Sequence, residues 1–441
     1  MKFLYVSFLL LNLSFFSFAS HAKVRDAINK DYEKHLKSLF VHFHQNPELS
    51  MGEVETAKRI AKELKAVGFE VHEGIGQTGI VAILKNGDGP MVMMRADMDG
   101  LPVKENSGLS YASTVEQVDP ITNELRPVMH ACGHDVHITG LVGTARYMQG
   151  NMSTWSGTLM LIAQPAEERI MGARKMMQDG IWERFGKPDY ALALHVSSEL
   201  ETGKLDVSAG PISAGSTSVD IIVHGIGTHG AYPQFGKDPV VLGSQIVMAL
   251  QTLVSRELGP KEPGVVTVGA FNSGLKHNVI SDEAHLKLTV RYSNLDTKAK
   301  LLNGIRRIAE NMGRVAGLPD DMLPTVVVSK EEDTPPQIND TGLTARLESM
   351  WKYKYGPDNI TSTVDEGMGA EDFPFFVTGQ DIPSVYWSIG GTTKAAFDAQ
   401  EKGDVPVPSH HSPFFKIDAD GSVPFAVETT VSALTELMQK K

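Results

Sequence analysis

Residues 130–137, His130-Ala131-Cys132-Gly133-His134-Asp135-Val136-His137, crowd a thiol, three imidazoles and a carboxylate into one loop-to-helix junction. A Cys-x-His pair alone also fits a buried free cysteine beside polar residues at a helix start. Three further segments change that balance: Glu167-Glu168, His195 and the pair His410-His411 supply more nitrogen and oxygen donors. A mixture of thiolate, imidazole and carboxylate suits zinc or a similar divalent ion. A hydrolytic centre also needs a base that is not itself a ligand. Adjacent glutamates can divide that work, because neighbouring side chains diverge past a strand end: one carboxylate binds, the other holds a proton. Cys132 is the only cysteine, so it forms no disulfide within its own chain.

The elements that must position these residues follow from periodicity. Ser50-Met51-Gly52-Glu53 reads as a capping box, after which Thr56, Ile60, Leu64 and Val67 recur at helical spacing until Gly68. Strands are expected at 69–71, 80–84 and 91–94, the last ending at Arg95-Ala96-Asp97, and a helix at 136–148. Strands at 158–163 and 190–194 lead into Glu167-Glu168 and His195. Polar residues just beyond strand ends, with strands and helices alternating, predict an α/β fold: an open mixed-sheet catalytic domain whose site lies on one rim. From Ser213 the texture changes to a β-α-β-β-α unit (218–223, 239–253, 265–271, 284–292, 296–315), then a connector at 331–337 and a last helix at 425–438. The expected organisation is a catalytic domain in two parts, 23–212 and 329–441, with a smaller α+β domain, 213–328, inserted between them.

The chain has 441 residues, with 41 basic against 53 acidic side chains and a net charge of −12, which disfavours nucleic acid as a partner. Lys2, an apolar run over 3–18 and Ser20-His21-Ala22 read as a signal peptide, 1–22, cleaved after Ala22. The run is shorter than the ~20 residues needed to span a bilayer, so no membrane association is expected after cleavage. The expected location is the periplasm or outside the cell. No retention tetrapeptide closes the chain, and the sequons at Asn151 and Asn359 matter only in a eukaryotic secretory route.

Seven motifs, in order, resemble the metal-dependent aminoacylase/carboxypeptidase/hippurate-hydrolase family, which includes the amidohydrolases of auxin–amino-acid conjugates. They are His44 to Ser50 (HQNPELS), Met94 to Pro102 (MRADMDGLP), the His130–His137 cluster, Gln164 to Glu168 (QPAEE), Gly227 to Ala231 (GTHGA), Ala370 to Phe373 (AEDF) and His411-Ser412-Pro413. The resemblance implies Cys132, His134, Glu168, His195 and His411 as ligands of two divalent ions (Zn, Mn, Co or Ni) and Glu167 as general base. It prefers His411 to His410 by register. It further implies that the inserted unit, 213–328, is a lid/dimerisation domain that mediates a homodimer, and that His229 steadies the oxyanion, reaching the partner's centre. Asn278 and Arg291 match substrate-facing positions, and Asp97 and Asp99 orient ligands and loop. Two lid positions depart from the pattern: Gln234 follows Pro233 where relatives carry histidine, and Ser281 stands where they carry proline. The implied activity is hydrolysis of N-acyl or N-aroyl amino acids. A carboxypeptidase or dipeptidase is the alternative, and a non-catalytic solute-binding protein is a third reading that Glu167 argues against.

Overall fold

The computed structural model describes residues 22–363 and 368–440, so all of the expected leader except Ala22 lies outside the described residues. Two compact units emerge: Met1–Gly210 with Ile338–Val364 and Phe375–Lys441, and Pro211–Gln337 with Asp365–Pro374.

In the first unit an eight-stranded sheet runs in the order Glu70–Ile75, Gly79–Asn86, Gly157–Gln164, Met91–Asp97, Tyr190–Glu201, Ser384–Thr392, Leu205–Asp206, Ile360–Thr361. The first three strands pair antiparallel, and the next three steps are parallel. The sheet is therefore mixed, as the sequence predicts. Gly157–Gln164 and Met91–Asp97 are buried along almost their whole length, the near-continuous apolar reading of strands covered on both faces. Helices His134–Gly150 and Ala419–Leu437 pack together on this sheet. They approach closely at Gly143, where a Cβ would lie 2.6 Å from Val427 Cγ2. Because the parallel strands share a direction, their C-terminal ends meet on one rim, which is where loops can gather side chains.

Four local expectations need correction. The helix after Ser50 spans Val54–Ala66 and has no side-chain cap from its N-cap residue, Glu53. Ser50 Oγ instead donates to Asp99 (2.6 Å) and Glu53 accepts from Ala166 N and Thr78 Oγ1 (both 2.8 Å), while Glu48 accepts from the helix amides of Glu55 and Thr56. The strand expected to stop before His195 continues to Glu201, because Ser384–Thr392 pairs with it through Ser388↔His195 and on to Glu201. Its other neighbour, Met91–Asp97, pairs only as far as Arg95↔Ala193, which leaves His195 free on the site side. The last helix begins at Ala419, ahead of Pro424 rather than after it.

The second unit is a four-stranded antiparallel sheet, in the order Gly264–Ser273, Glu283–Tyr292, Gly215–His224, Thr325–Thr334, with helices Pro239–Thr252 and Leu295–Val315 packed on it. Strict alternation of burial along Gly215–His224 shows one covered face. The helices start on side-chain caps, Asp238 with a following proline and Asn294. The fourth strand is the fourth correction: Thr325–Thr334 crosses the expected boundary at 328 and takes in the start of the expected connector. Asp333 anchors it by accepting from Thr217, Tyr292 and Lys298.

Candidate metal centre

Cys132, His134, Glu167, Glu168, His195, His410 and His411 all belong to the first unit. Cys132 and His134 flank Gly133, whose φ of +87° is left-handed and whose Cβ would meet Val196 Cγ1 at 2.4 Å. Only glycine fits that turn. The glutamates sit on a second strained turn: Ala166 (φ 47°) and Ile170 (φ 53°) bracket Glu167–Arg169. A β-branched residue in that region is an outlier, held by its surroundings at a cost of roughly 1–3 kcal/mol. What holds it is a row of amides on two buried carboxylates. Ala166 N donates to Glu53, while Glu167 N and Glu168 N donate to the two oxygens of Asp99 (3.2 and 3.1 Å).

Three donor groups lie within metal-ligating reach of one another: Cys132/His134/His195, Cys132/Glu168/His411 and His134/Glu167/Glu168. Cys132 Sγ is 3.4 Å from His195 Nε2, His411 Nε2 is 3.5 Å from Glu168 Oε2, and His134 Nε2 is 3.8 Å from Glu168 Oε1. Bonds of 2.0–2.3 Å at tetrahedral angles set donors about 3.3–3.8 Å apart, so these spacings fit a divalent ion.

The hydrogen bonds decide which nitrogen faces the site. His134 donates from Nδ1 to the Asp99 carbonyl (2.9 Å) and His195 donates from Nδ1 to the Val196 carbonyl (2.7 Å). Each therefore turns its Nε2 towards the site. His134 Nε2 and Glu168 Oε1 are buried atoms without a hydrogen-bond partner, a condition that protein groups alone leave uncompensated and a cation relieves. In a fourth cluster, Asp97/His134/His137, the other two members are already engaged. His137 donates to Asp97 Oδ1 (2.5 Å) and accepts from Val196 N (2.9 Å), and Asp97 also holds Arg95 (2.6 Å). Asp97 thus contacts His137, and Asp99 contacts His134 and the backbone amides of Glu167 and Glu168.

Electrostatics point the same way. Burial, then the nearby Glu168, pushes the Cys132 thiol well above its ordinary range, and burial raises Glu168 to about 7. Burial, then His137 and His410, holds His195 well below the usual imidazole range. His134 goes the other way: burial lowers it, but Asp97, Asp99 and Cys132 outweigh burial and hold it well above the usual imidazole range, so without an ion this ring carries the positive charge that a divalent cation would supply. His130 belongs to none of these donor groups. Burial pushes it to about 4 and neither ring nitrogen has a hydrogen-bond partner, so it is a neutral core imidazole.

The model of peptidase family M20/M25/M40 matches residues 93–407. The chain belongs to this family. It is 35% identical over 347 residues to the hippurate hydrolase of Campylobacter jejuni, covering 78% of this chain and 86% of that one. It is 33% identical over 390 residues to thermostable carboxypeptidase 2 of Saccharolobus solfataricus, covering 87% and 91%. A dinuclear metal-binding M20 peptidase of Bacillus subtilis superposes with a TM-score of 0.74 at 26% identity, covering 93% and 99%. As an M20 protein the chain is a hydrolase of amide or peptide bonds, divalent metals fit its family, and the rim donors are the candidate ligands.

The remaining candidates of this M20 hydrolase lie in the second unit. His229 is exposed, accepts at Nδ1 from Ala231 N (3.1 Å), and pairs with Val279 in a short ribbon. Asn278 adjoins it: its carbonyl accepts from Gly230 N (2.8 Å) and its buried Oδ1 has no hydrogen-bond partner. Arg291 is not part of that ribbon; it donates to Thr289 Oγ1 (3.3 Å) and the Met368 carbonyl (3.4 Å). Sequence reading assigned no site role to Glu53, which looked like a helix cap, or to His137, although His137 stands one helical turn from His134.

Proposed function

We propose that this chain is an exported, dinuclear metal-dependent amidohydrolase that releases a free amino acid and a carboxylate from N-acyl or N-aroyl amino acids. The observation that carries the reading is the sharing of the Cys132 sulfur by two donor groups, one with His134 and His195 and one with Glu168 and His411, beside a further carboxylate, Glu167. Divalent ions held there would polarise the scissile carbonyl and lower the pKa of water. Glu167 takes the proton of the attacking water and returns it to the leaving amine. Asp99 steadies that base by holding its backbone amide, and His137 and Asp97 keep their neighbours in register. His229 donates to the developing oxyanion, and Asn278 and Arg291 receive the carboxylate of the amino acid.

The exposed His229 supports a role towards a second copy. So do the exposed Val240, Val241 and Met248 on helix Pro239–Thr252 and the sheet-edge strand Gly264–Ser273. The leader-like run at 3–18 supports export. Likeness to a carboxypeptidase over 87% of the chain favours a second reading, cleavage of short peptides by the same centre.

The test is a panel of hippurate, N-acetyl amino acids and dipeptides with added Mn²⁺, Co²⁺ or Zn²⁺. Acyl amino acids are expected to turn over faster than dipeptides. Glu167→Gln should lower kcat by roughly 10²–10⁴ with metal content retained; undiminished turnover in that variant would remove Glu167 from its assigned role.

A further inference from the structure

The two imidazoles beside Cys132 face its sulfur in opposite senses. His195 offers a lone pair, since its Nδ1 proton is engaged by the Val196 carbonyl. His410 offers a proton. Its Nε2 accepts from the backbone amide of Ser198 (3.1 Å), and an amide can only donate, so the ring proton is assigned to Nδ1, which faces Cys132, 3.7 Å from its Sγ and with the Cys132 backbone carbonyl as the other acceptor in reach. The ring is fixed in that orientation by the His195 ring (5.3 Å between centroids, 68°) and the Phe415 ring (4.8 Å, 40°). The next residue, His411, adopts a left-handed conformation (φ 64°) that sends its ring to Glu168 instead, so the pair splits between sulfur and carboxylate.

We infer that His410 is a positioning residue: its Nδ1–H donates to the Cys132 thiolate and sets how much charge that sulfur gives to the ions it holds. The inference rests on the metal reading proposed above. A hydrogen bond to a thiolate withdraws electron density from sulfur, so the sulfur donates less and is a weaker nucleophile. The ions would then remain more electron-poor, which favours carbonyl polarisation, and the cysteine would resist electrophiles and oxidants.

Two substitutions separate the ring's two bonds. His410→Gln keeps an acceptor where Nε2 meets Ser198 and removes the donor to sulfur, whereas His410→Asn keeps an N–H near the Nδ1 position. With full-length protein loaded with Co²⁺, the sulfur-to-cobalt charge-transfer band should move to lower energy in His410→Gln and stay in place in His410→Asn, at unchanged cobalt stoichiometry. Alkylation of Cys132 by iodoacetamide in the zinc-loaded protein should accelerate about fivefold in His410→Gln only. In the unsubstituted cadmium-loaded protein, the His410 Nδ1 proton should show scalar coupling to the cadmium nucleus through sulfur, a readout that does not depend on any variant folding. An unmoved band in metal-loaded His410→Gln, or absence of that coupling, overturns the inference. So does loss of an ion from both variants, which would make His410 a ligand. Unsubstituted protein that binds no cobalt overturns the metal reading and this inference together.

Discussion

At the residue scale, the chemistry depends on which atoms are left without a partner. His44 illustrates the converse, a fully engaged imidazole. It bonds Asp135 through Nδ1 (2.7 Å) and Glu105 through Nε2 (3.0 Å) while buried. Burial alone would lower its pKa, but the two carboxylates outweigh it and raise the group to about 9. A raised imidazole pKa contributes stability in full below the unfolded value near 6.5, and that contribution is lost as pH rises through about 9. The shift corresponds to an upper bound of about 3 kcal/mol. Urea unfolding of the wild type and His44→Gln should therefore differ more at pH 6 than at pH 10; a pH-independent gap would show that His44 is not held charged. The motif around His44 was legible in the sequence. Its two carboxylate partners were not, because Glu105 and Asp135 are distant in the chain.

At the element scale, the strained turn 166–170 depends on a residue that begins a helix far away. Glu53 accepts from the Ala166 amide, so replacing it with leucine leaves a buried N–H unpaired, a loss of about 1–3 kcal/mol. Glu53→Gln retains an acceptor oxygen. We expect Glu53→Leu to lower both the melting temperature and kcat, the latter on the order of tenfold as the glutamate pair shifts, and Glu53→Gln to restore most of both. Equal loss in the two variants would point to the charge rather than the acceptor. The sequence predicted a helix here from sound periodicity, but Ser50 and Glu53, read as its capping box, serve Asp99, Ala166 and Thr78 instead. Likewise His195 looked like a residue past a strand end. Pairing with a strand almost two hundred residues later extends the strand through it, and no local pattern reports that.

At the scale of the molecule, the uncompensated donors on the rim make the first unit dependent on what it binds. Ligands that bind only the folded state add about 4 kcal/mol at a thousandfold excess over Kd. Chelation should thus lower the first unit's melting temperature by roughly 10 °C and expose Cys132 to faster alkylation, with recovery on adding Mn²⁺ or Zn²⁺. An unchanged transition with confirmed metal removal would mean that the donors are satisfied without ions. In the second unit, Met248 is exposed on a helix beside other exposed apolar residues. If that face joins two copies, Met248→Glu should convert a dimer to a monomer in sedimentation velocity, and turnover should fall with it because His229 then loses its partner's centre.

The sequence by itself determined the donor types, their grouping around one rim, the mixed α/β sheet and the family, because these follow from side-chain chemistry and from short-range periodicity. Only the tertiary structure decided which atom of each donor is free. The Val196 carbonyl and Asp99 assign the open nitrogens of His195 and His134, and the Ser198 amide, 212 residues from His410, turns that ring's proton towards Cys132. Hydrogen bonds saturate and point in one direction, so a residue's role at the site is settled by partners that fold together from distant parts of the chain.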